Sequence, residues 1–161
     1  MKGINGSVAL VTGASRGIGE AIARSLVGAG AVVHILAEDE GVVAAASAMT
    51  ATPHRADITD ETAIERVMAS IGAVDILINN AGLERLTPIV DISGESLALF
   101  RRIIDINLVG TSIVTAQALA DMPEGARIIN TASVWGRVAE PLFSAYVASK
   151  HGVIGLTKTW A

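Results

Sequence analysis

Two side chains near the end of the sequence have the types and the spacing that proton transfer requires. Tyr146 and Lys150 are four residues apart, so a helix would place the phenol and the amine on the same face. A phenol ordinarily titrates near pH ~10, and a neighbouring ammonium favours its ionised form. The pair therefore predicts a general acid/base that exchanges a proton with a substrate hydroxyl near neutral pH. The spacing alone is also compatible with a Tyr/Lys pair on a solvated helix.

A glycine-rich stretch near the start of the sequence is spaced for binding a phosphate. The stretch TGASRGIG contains Gly13, Gly17 and Gly19 and joins an apolar run to a helical pattern. Glycine adopts backbone conformations that a β-carbon forbids, and the N–H groups at a helix start attract anions such as a pyrophosphate. The spacing Gly-x3-Gly-x-Gly differs from the common dinucleotide motif Gly-x-Gly-x-x-Gly. Taken alone, the stretch is also compatible with a plain glycine-rich turn.

Strands and helices alternate along the sequence and would position these two groups. Apolar runs predict five strands, at residues 8–11, 32–36, 55–58, 74–78 and 127–131. Helical patterns cover residues 17–29, 41–49, 60–70, 95–122 and 144–160, the fourth with a break near residues 107–110. This alternation predicts an α/β fold of three layers, a Rossmann-like doubly wound parallel sheet with helices on both faces. In such sheets, ligands bind beyond the carboxyl ends of the strands.

The composition limits the classes of function and of partner. The 161 residues suit one domain, residues 1–161, and 51% of them are hydrophobic. The formal net charge of -4, without a run of Lys or Arg, argues against a nucleic-acid partner, and the absence of cysteine excludes disulfides and thiol catalysis. No apolar stretch is long enough to span a bilayer, so we expect a cytoplasmic protein without a membrane partner. The three histidines, His34, His54 and His151, do not have the spacing of a metal site.

Further motifs complete a pattern that resembles the short-chain dehydrogenase/reductase family. The segment NNAG, residues 79–82, ends the predicted fourth strand, Asn107 lies in the long helix, and Ser133 precedes Tyr146 in the family's order. Together with the glycine-rich turn and Tyr-x3-Lys, these motifs have the family's spacing from about Gly6 to the last residue. The resemblance implies hydride transfer between an alcohol or ketone substrate and a nicotinamide cofactor, NAD or NADP.

The resemblance implies a role for each of four candidate catalytic residues. Tyr146 would be the general acid/base, and Lys150 would also bind the nicotinamide ribose. Ser133 would donate a hydrogen bond to the substrate oxygen, and Asn107 would bind a water that links Lys150 to solvent. From the residues alone, Ser133 is also compatible with a helix cap or a loop serine, and Asn107 with a surface position on a helix.

The resemblance also implies contacts with the cofactor along the strand ends. The glycine-rich turn would bind the pyrophosphate, Asp57 would lie at the adenine edge, and the segment after the fourth strand would lie along the adenosine ribose. The complete set of predicted cofactor-binding residues is Gly13, Ser15, Arg16, Gly17, Ile18, Gly19, Glu38, Asp57, Ile58, Asn79, Ala81, Gly82, Tyr146 and Lys150. From the residue alone, Asp57 is also compatible with a solvated turn.

Different residues of the sequence favour the two forms of the cofactor. Arg16, within the glycine-rich turn, is of the type that binds the 2′-phosphate of NADP. The second strand, however, ends in Ala37-Glu38-Asp39-Glu40, and three acids would repel that phosphate. Family members that bind NAD often have Asp at the position of Ala37, and members that bind NADP often have Arg at the position of Glu38. Because Glu38 can accept hydrogen bonds from the ribose hydroxyls, the sequence favours NAD. A solvated acidic turn is the alternative.

The sequence departs from the family at its end, because it stops within the helix of Tyr146. Family members usually continue through two further strands and a loop that covers the substrate. We therefore expect a fragment or a truncated gene product whose fifth strand lacks a neighbour. A non-catalytic dinucleotide-binding module is the alternative function.

Two further groups of residues near the end of the sequence predict a substrate wall and an assembly. Trp135 and Phe143 fall where family members shape the substrate pocket, so they predict either an apolar wall or simple packing. Small residues along the last helix allow close approach of another helix, and family members pair their last two helices. We therefore expect a homodimer or homotetramer. The small residues are Ala145, Ala148, Ser149, Gly152 and Gly155.

Overall fold

Five parallel strands form a sheet in the order β3-β2-β1-β4-β5. The structure, a computed structural model, describes residues 3–91 and 93–161. Its strands are Val8–Thr12 (β1), Val32–Ala37 (β2), Thr52–Arg55 (β3), Ile76–Asn79 (β4) and Arg127–Asn130 (β5). The strand order reverses between β1 and β4, so the carboxyl ends of these two strands flank a crevice. The doubly wound parallel sheet predicted from the sequence is confirmed.

Helices cover both faces of the sheet and complete the three layers. They are Gly17–Gly28 (α1), Gly41–Ser47 (α2), Glu61–Ile71 (α3), Gly94–Ile104 (α4), Thr111–Leu119 (α5) and Ser144–Trp160 (α6). Successive strand residues point to opposite faces, so Ala9 and Val11 pack on the side of α1 and α2, and Leu10 packs on the side of α3 and α5. Because both faces are buried, β1 and β4 are continuous apolar runs.

The helices begin and change pitch where the sequence supplies the required side chains. Asp60 and Ser93 each accept a hydrogen bond from the backbone N–H three residues later, and they thereby start α3 and α4. In place of the predicted break near residues 107–110, the helix continues from α4 into α5 through a π-helical segment, Asp105–Gly110. This segment contains Asn107, whose side chain is buried.

The predicted position of the third strand, residues 55–58, is wrong. β3 instead occupies Thr52–Arg55 and pairs with β2. A turn follows it, because Asp57 Oδ1 accepts hydrogen bonds from both the backbone N–H and the hydroxyl of Thr59. Pro53 is tolerated in β3 because this strand lies at the edge of the sheet, where one side needs no partner.

The opposite edge of the sheet is β5, as the sequence predicted. β5 pairs with β4 on one side, and its Ile129 is 52% exposed. The surrounding helices do not suggest a membrane span: within residues 3–91 and 93–161, none has the length and apolar character that crossing a bilayer requires.

Candidate active site

A cleft of about 400 Å³ lies at the carboxyl ends of β1, β2 and β4. This is the place at which the topology of the sheet predicts a ligand. The predicted cofactor-binding residues that line the cleft are Gly13, Ser15, Arg16, Glu38, Asp57, Ile58, Ala81 and Gly82. Those that the structure places outside its lining are Gly17, Ile18, Gly19, Asn79, Tyr146 and Lys150.

The glycine-rich turn requires glycine at two positions for reasons of packing. Gly13 has a φ of +65°, and a β-carbon there would lie 2.7 Å from the Ala81 Cα. A β-carbon on Gly19 would collide with the carbonyl oxygen of Gly13. These glycines let β1, α1 and the segment after β4 approach one another closely, whether or not a ligand binds. Evidence for phosphate binding has to come instead from the N–H groups at the start of α1.

The start of α1 is suited to an anion. Arg16 precedes the helix with extended backbone angles, and its side chain does not cap the first N–H groups. Those groups form the positive end of the helix dipole. Gly17 and Ile18 are exposed in the first turn, Ile18 at 68%, so the approach to the helix start is open. The arrangement fits the pyrophosphate of a dinucleotide.

Thr12 and Asn80 join the ends of β1 and β4 at the floor of the cleft. The Thr12 hydroxyl accepts hydrogen bonds of 3.0 Å from the backbone N–H groups of Asn80 and Ala81. In return, Asn80 Nδ2 donates to the carbonyl oxygens of Thr12 and Gly13 at 3.1 and 3.2 Å. Both residues lie within the glycine-rich and NNAG motifs, but the sequence indicated no role for them. The two successive asparagines could have indicated this contact, because a buried polar residue after an apolar strand needs a hydrogen-bonding partner at the strand end.

Asn79 points away from the cleft. It is 5% exposed, and its Nδ2 donates hydrogen bonds of 2.9 Å to the Thr115 hydroxyl and 2.8 Å to Asn130 Oδ1. Its side chain therefore joins β4 to α5 and β5, and the asparagine that lines the cleft is Asn80. A contact between Asn79 and the adenosine ribose has no support from this geometry.

Arg102 of α4 contacts the two acids that follow β2 and β3. Its Nη2 lies 2.6 Å from Asp57 Oδ2 and 3.4 Å from Glu38 Oε2. Burial alone would raise the pKa of Asp57, but the hydrogen bonds from Thr59 and Arg102 outweigh it, so this pKa lies below its ordinary value. The sequence did not indicate a role for Arg102, because nothing in it distinguishes this residue from the neighbouring Arg101.

Arg16 has a partner of its own in Asp39. The two side chains form an ion pair at 3.1 Å, and the Arg16 side chain is 81% exposed. The Ser15 hydroxyl donates a hydrogen bond of 2.8 Å to the same carboxylate oxygen, and the Gly41 N–H bonds to the other oxygen. The Ser15 hydroxyl is the main reason why the pKa of Asp39 is lowered, with Gly41 and Arg16 contributing. Ser15 thus acts on Asp39 within the cleft wall.

Lys150 brings an amine into the protein interior. The residue is 5% exposed, and its Nζ donates a hydrogen bond of 2.7 Å to the Thr131 carbonyl, just after β5. Burial lowers the pKa of Lys150 to about 8. A β-carbon on Gly82 would lie 3.7 Å from Nζ, so the amine adjoins the wall of the cleft. Lys150 is therefore still mostly charged at neutral pH, although it is close to titration.

The pKa of the Tyr146 phenol is raised, which the sequence did not predict. The Lys150 Nζ lies 5.7 Å from the centre of the Tyr146 ring. Burial raises the pKa of the phenol, the Ser133 side chain lowers it through a hydrogen-bonding interaction, and the Glu84 carboxylate raises it further. The expectation that Lys150 brings this phenol toward neutral pH is therefore wrong for the protein by itself, because burial dominates.

Ser133 caps a short helical turn and also lies beside Tyr146. Its Oγ accepts a hydrogen bond of 3.2 Å from the Trp135 N–H and caps a short 3-10 turn, Val134–Gly136. The same side chain lowers the pKa of Tyr146, which places it beside the phenol. Because Oγ serves the backbone as an acceptor, the hydroxyl keeps its proton for donation to an oxygen in the site.

Asn107 connects the cleft wall to the helix of Tyr146. It is 1% exposed, so a surface position is excluded. Its Oδ1 accepts from the Leu83 N–H at 2.7 Å, and its Nδ2 donates to the Leu83 carbonyl and the Ser149 hydroxyl, each at 2.9 Å. The Ser149 hydroxyl in turn donates to the Tyr146 carbonyl at 2.7 Å. Protein groups use both N–H groups of the Asn107 amide, whereas Oδ1 accepts one hydrogen bond and keeps a lone pair for a further donor. The water-binding role of Asn107 stays a prediction.

Trp135 and Phe143 form an aromatic wall next to Tyr146. The ring centres of Trp135 and Phe143 are 4.8 Å apart, and Trp135 meets the Tyr146 ring edge-on at 5.8 Å. Such tilted contacts stabilise ring positions beyond simple burial. The two rings are therefore packed against each other, and Trp135 also borders the phenol.

The small residues of α6 pack mostly within the chain itself. Ala145 and Ser149 are fully buried, and a β-carbon on Gly152 would lie 2.8 Å from a methyl group of Leu108. The close approach that these residues allow is thus used by the π-helical segment. Gly155 and Ala148 remain on the surface. The predicted assembly stays a prediction.

Comparison with known proteins relates the chain to a single family. A family model described as short chain dehydrogenase matches residues 7–161. A D-beta-hydroxybutyrate dehydrogenase from Rhizobium meliloti is 42% identical over 167 residues, which include 95% of this chain and 64% of that protein. A sorbitol dehydrogenase from Cereibacter sphaeroides is 39% identical over 166 residues, with 97% of this chain and 64% of that protein. The chain thus spans 64% of the length of these two relatives.

Two solved structures have a closely similar fold. A short chain dehydrogenase/reductase from Burkholderia phymatum, in complex with NAD, matches with a TM-score of 0.91 at 26% identity over 99% of this chain and 60% of that one. The ligand-free aldohexose dehydrogenase of Thermoplasma acidophilum matches with a TM-score of 0.87 at 34% identity over 98% of this chain and 61% of that one.

Proposed function

Because the chain belongs to the short-chain dehydrogenase/reductase family, we propose that it transfers a hydride between an alcohol or ketone and a nicotinamide cofactor. The observation that supports this most directly is the grouping of Ser133, Tyr146 and Lys150, of which Lys150 adjoins Gly82 in the cleft wall. A hydroxyl donor, a phenol and a buried amine are the groups that move a proton to or from the substrate oxygen while a hydride leaves or joins the carbon that bears this oxygen.

Tyr146 is the proposed general acid/base. In alcohol oxidation its phenolate oxygen accepts the proton of the substrate hydroxyl, and in ketone reduction its phenol returns that proton. The nicotinamide cofactor, when bound, accepts or supplies the hydride. Ser133 donates a hydrogen bond to the same substrate oxygen and stabilises the negative charge that develops there. Because the pKa of Tyr146 is raised, the phenol is protonated at neutral pH until a further positive charge approaches it.

Lys150 is the proposed source of a fixed positive charge for the phenolate. Its ammonium is buried, so its attraction for an anion is stronger than in bulk water. With a pKa of about 8, the amine also exchanges protons near neutral pH and suits a relay between Tyr146 and solvent. Asn107 would bind the water of that relay, as the family resemblance implies.

NAD is the proposed cofactor. Glu38 lines the cleft, its side chain is 65% exposed, and its contact with Arg102 is long at 3.4 Å. Its carboxylate is therefore available to accept hydrogen bonds from ribose hydroxyls. Arg16, the residue that would favour NADP, is paired with Asp39 instead. The uncapped start of α1 fits the pyrophosphate, which both forms of the cofactor share.

A homodimer or homotetramer through the last two helices is also proposed. On α5 and the π-helical segment before it, Leu119 is 54% exposed and Val109 is 45% exposed. Apolar side chains on a helix surface are suited to burial against a second copy. Light scattering would support this with a mass of two or four chains, and a monodisperse monomer would contradict it.

The proposed function is tested by hydride transfer in the purified chain. The chain is mixed with NAD and a panel of secondary alcohols, and formation of reduced nicotinamide is followed by its absorbance. Binding of NADH is measured separately by fluorescence. Reduction of NAD by any alcohol supports the proposal. Binding without transfer would favour a dinucleotide-binding module, and absence of binding would contradict the assignment of the cleft.

A further inference from the structure

Arg102 is a cation that joins three elements at one end of the cleft. Its Nη2 lies 2.6 Å from Asp57 Oδ2, after β3, and 3.4 Å from Glu38 Oε2, after β2. Its Nη1 donates a hydrogen bond of 3.1 Å to the Thr59 hydroxyl. One guanidinium of α4 is therefore shared by Glu38, the acid proposed to bind the ribose, and Asp57, the acid expected at the adenine edge.

The two carboxylates bind Arg102 unequally. Asp57 is fixed, because Thr59 donates two hydrogen bonds to its other oxygen and the contact with Arg102 is short. Glu38 is 65% exposed, and its contact is at the outer limit of a hydrogen bond. Asp57 and Thr59 therefore anchor the guanidinium, whereas Glu38 is bound weakly and is easily replaced by another anion.

The other charged residues at this end already have partners. Arg16 pairs with Asp39 at 3.1 Å, and Arg55 pairs with Glu40 at 3.1 Å. Neither Arg55 nor Glu40 lines the cleft, whose lining contains three carboxylates and three guanidinium groups. The third guanidinium, that of Arg85, donates a hydrogen bond of 2.7 Å to the backbone carbonyl of Glu84. The repulsion of a phosphate that the acidic sequence after β2 predicted is therefore offset by arginines from elsewhere in the fold. Arg102 is the anchored arginine whose outer partner is weak.

We propose that Arg102 is a latent site for the 2′-phosphate of NADP, and that Glu38 occupies it as an internal anion. The proposal rests on the proposed dinucleotide function. A guanidinium binds phosphate through a fork of N–H groups, and Arg102 is already oriented by Asp57. A 2′-phosphate has to displace the Glu38 carboxylate, whereas an unmodified ribose can bond to it. Glu38 and Arg102 therefore set the preference for NAD as a pair.

The test is a set of fluorescence titrations with NADH and NADPH, at low and at higher salt. The variants are Glu38→Gln, Arg102→Met and the double variant, and Arg102→Lys keeps the charge without the fork. Glu40→Gln is a matched control, since it removes a nearby acid that has no contact with Arg102. Arg101→Met is the second control, since Arg101 is the exposed neighbour on α4. Thermal unfolding checks that each variant is folded.

Glu38→Gln is expected to raise the affinity for NADPH relative to NADH about tenfold, because one competing charge is removed from the guanidinium. The gain should vanish when Arg102→Met is added and should shrink when Arg102→Lys is added. It should also weaken at higher salt, because the site is exposed. The controls Glu40→Gln and Arg101→Met should leave the NADPH/NADH ratio within about twofold of the wild-type value.

Three results would overturn the proposal. The first is a gain in Glu38→Gln that persists in the double variant, since Arg102 would then not be the phosphate site. The second is an equal gain in Glu40→Gln, which would indicate general repulsion, and the third is no gain at all. If Arg102→Met does not fold, the Arg102→Lys double variant decides the question. Failure of the wild-type chain to bind either dinucleotide would instead defeat the proposed function itself.

Discussion

The ion-paired end of the cleft, formed by Glu38, Asp57 and Arg102, differs from the tyrosine end, formed by Ser133, Tyr146 and Lys150 behind the cleft lining, in how its charges are surrounded. The ion-paired end is the more open. Its side chains are between 33% and 65% exposed, and two carboxylates share one guanidinium. Exposed pairs of this kind contribute little to stability and are screened by salt. They exchange partners easily, which suits the recognition of a ligand.

The tyrosine end, formed by Ser133, Tyr146 and Lys150, has its charge in the interior. Lys150 has no carboxylate partner among the described residues, and its Nζ bonds instead to the carbonyl oxygen of Thr131. Burial therefore sets the pKa values of both titrating groups, lowering that of Lys150 and raising that of Tyr146. In the proposed function, recognition of the cofactor would therefore use replaceable charges, whereas proton transfer would use charges that solvent and salt reach poorly.

The largest effect, on turnover, is expected when the proposed proton-transferring group, the Tyr146 phenol, is removed. Tyr146→Phe keeps the ring beside Trp135 but loses the phenolic oxygen, so turnover of an alcohol should fall about a thousandfold. Binding of NADH should stay unchanged, since the ion-paired end is intact. Initial rates and fluorescence titrations measure the two effects. Turnover close to the wild-type rate would show that the tyrosine end is not the catalytic one.

Comparing Lys150→Met with wild type is expected to show how the buried charge of Lys150 lowers the free energy of unfolding, because this effect depends on pH. The folded pKa of about 8 lies below the ordinary 10.5, so the unfolded chain binds more protons between these values and the wild-type protein gains stability as pH rises. The variant lacks this gain. As pH rises from ~8 to ~10.5, the free energy of unfolding of the wild-type protein should therefore increase by about 3 kcal/mol more than that of the variant. Denaturant unfolding at several pH values measures this.

The pH experiment has a matched control in Lys158→Met, on the exposed last turn of the same helix. Lys158 is exposed, so this variant should follow the wild-type pH dependence. Salt should have little influence on the Lys150 effect, because the amine is buried. A constant difference between Lys150→Met and wild type across this pH range would refute the account of the tyrosine end.

The phenol offers a direct view of the same environment, because Tyr146 is the sole tyrosine of the chain. Its phenolate absorbance therefore reports one group during a pH titration. Glu84→Gln should lower the pKa of Tyr146, because it removes a nearby negative charge, and Ser133→Ala should raise it, because it removes a hydrogen-bonding partner. Arg16→Gln, at the other side of the cleft, should leave the titration unchanged. Shifts in the opposite directions would show that these side chains do not face the phenol.

The smallest effect is expected from the ion-paired end on stability. Arg102→Met should reduce the free energy of unfolding by less than about 1 kcal/mol at low salt, and the loss should diminish as salt is added. Thermal unfolding at two ionic strengths measures it. A large, salt-independent loss would show that Arg102 is a structural residue, and the contrast between the two ends would disappear.

Local sequence patterns predicted most of the fold, and the family resemblance added Ser133 to the candidate pair Tyr146 and Lys150. The bounds of α6 agree with the prediction, and the change of pitch at Asp105–Gly110 includes residues 107–110, where a break was predicted. β3 was misplaced because Ala56 and Ile58 are apolar but belong to a turn, while Pro53 and His54 lie in the strand. Hydrophobicity alone does not separate an edge strand from the buried turn after it.

The charges of the site were predicted less well than its residues, because they depend on distant parts of the chain. Arg102 contacts Asp57 across 45 positions, and no local pattern indicates such a pair. The pKa of Tyr146 depends on burial and on Glu84, which the spacing to Lys150 does not reveal. Asn79 and Asn80 have the same residue type, and only the geometry of the strand end shows which of them faces the cleft.

The amide of Asn107 is bonded to Leu83 as one peptide unit is bonded to another in a β-ladder, through a donor and an acceptor together. Asn107 thereby holds the segment after β4 as a neighbouring strand would. Its remaining N–H donates to Ser149, whose hydroxyl bonds to the Tyr146 carbonyl, so the same side chain connects this segment to α6. We therefore expect Asn107 to be one of the residues that fix the distance between the cleft wall and the Tyr146 phenol.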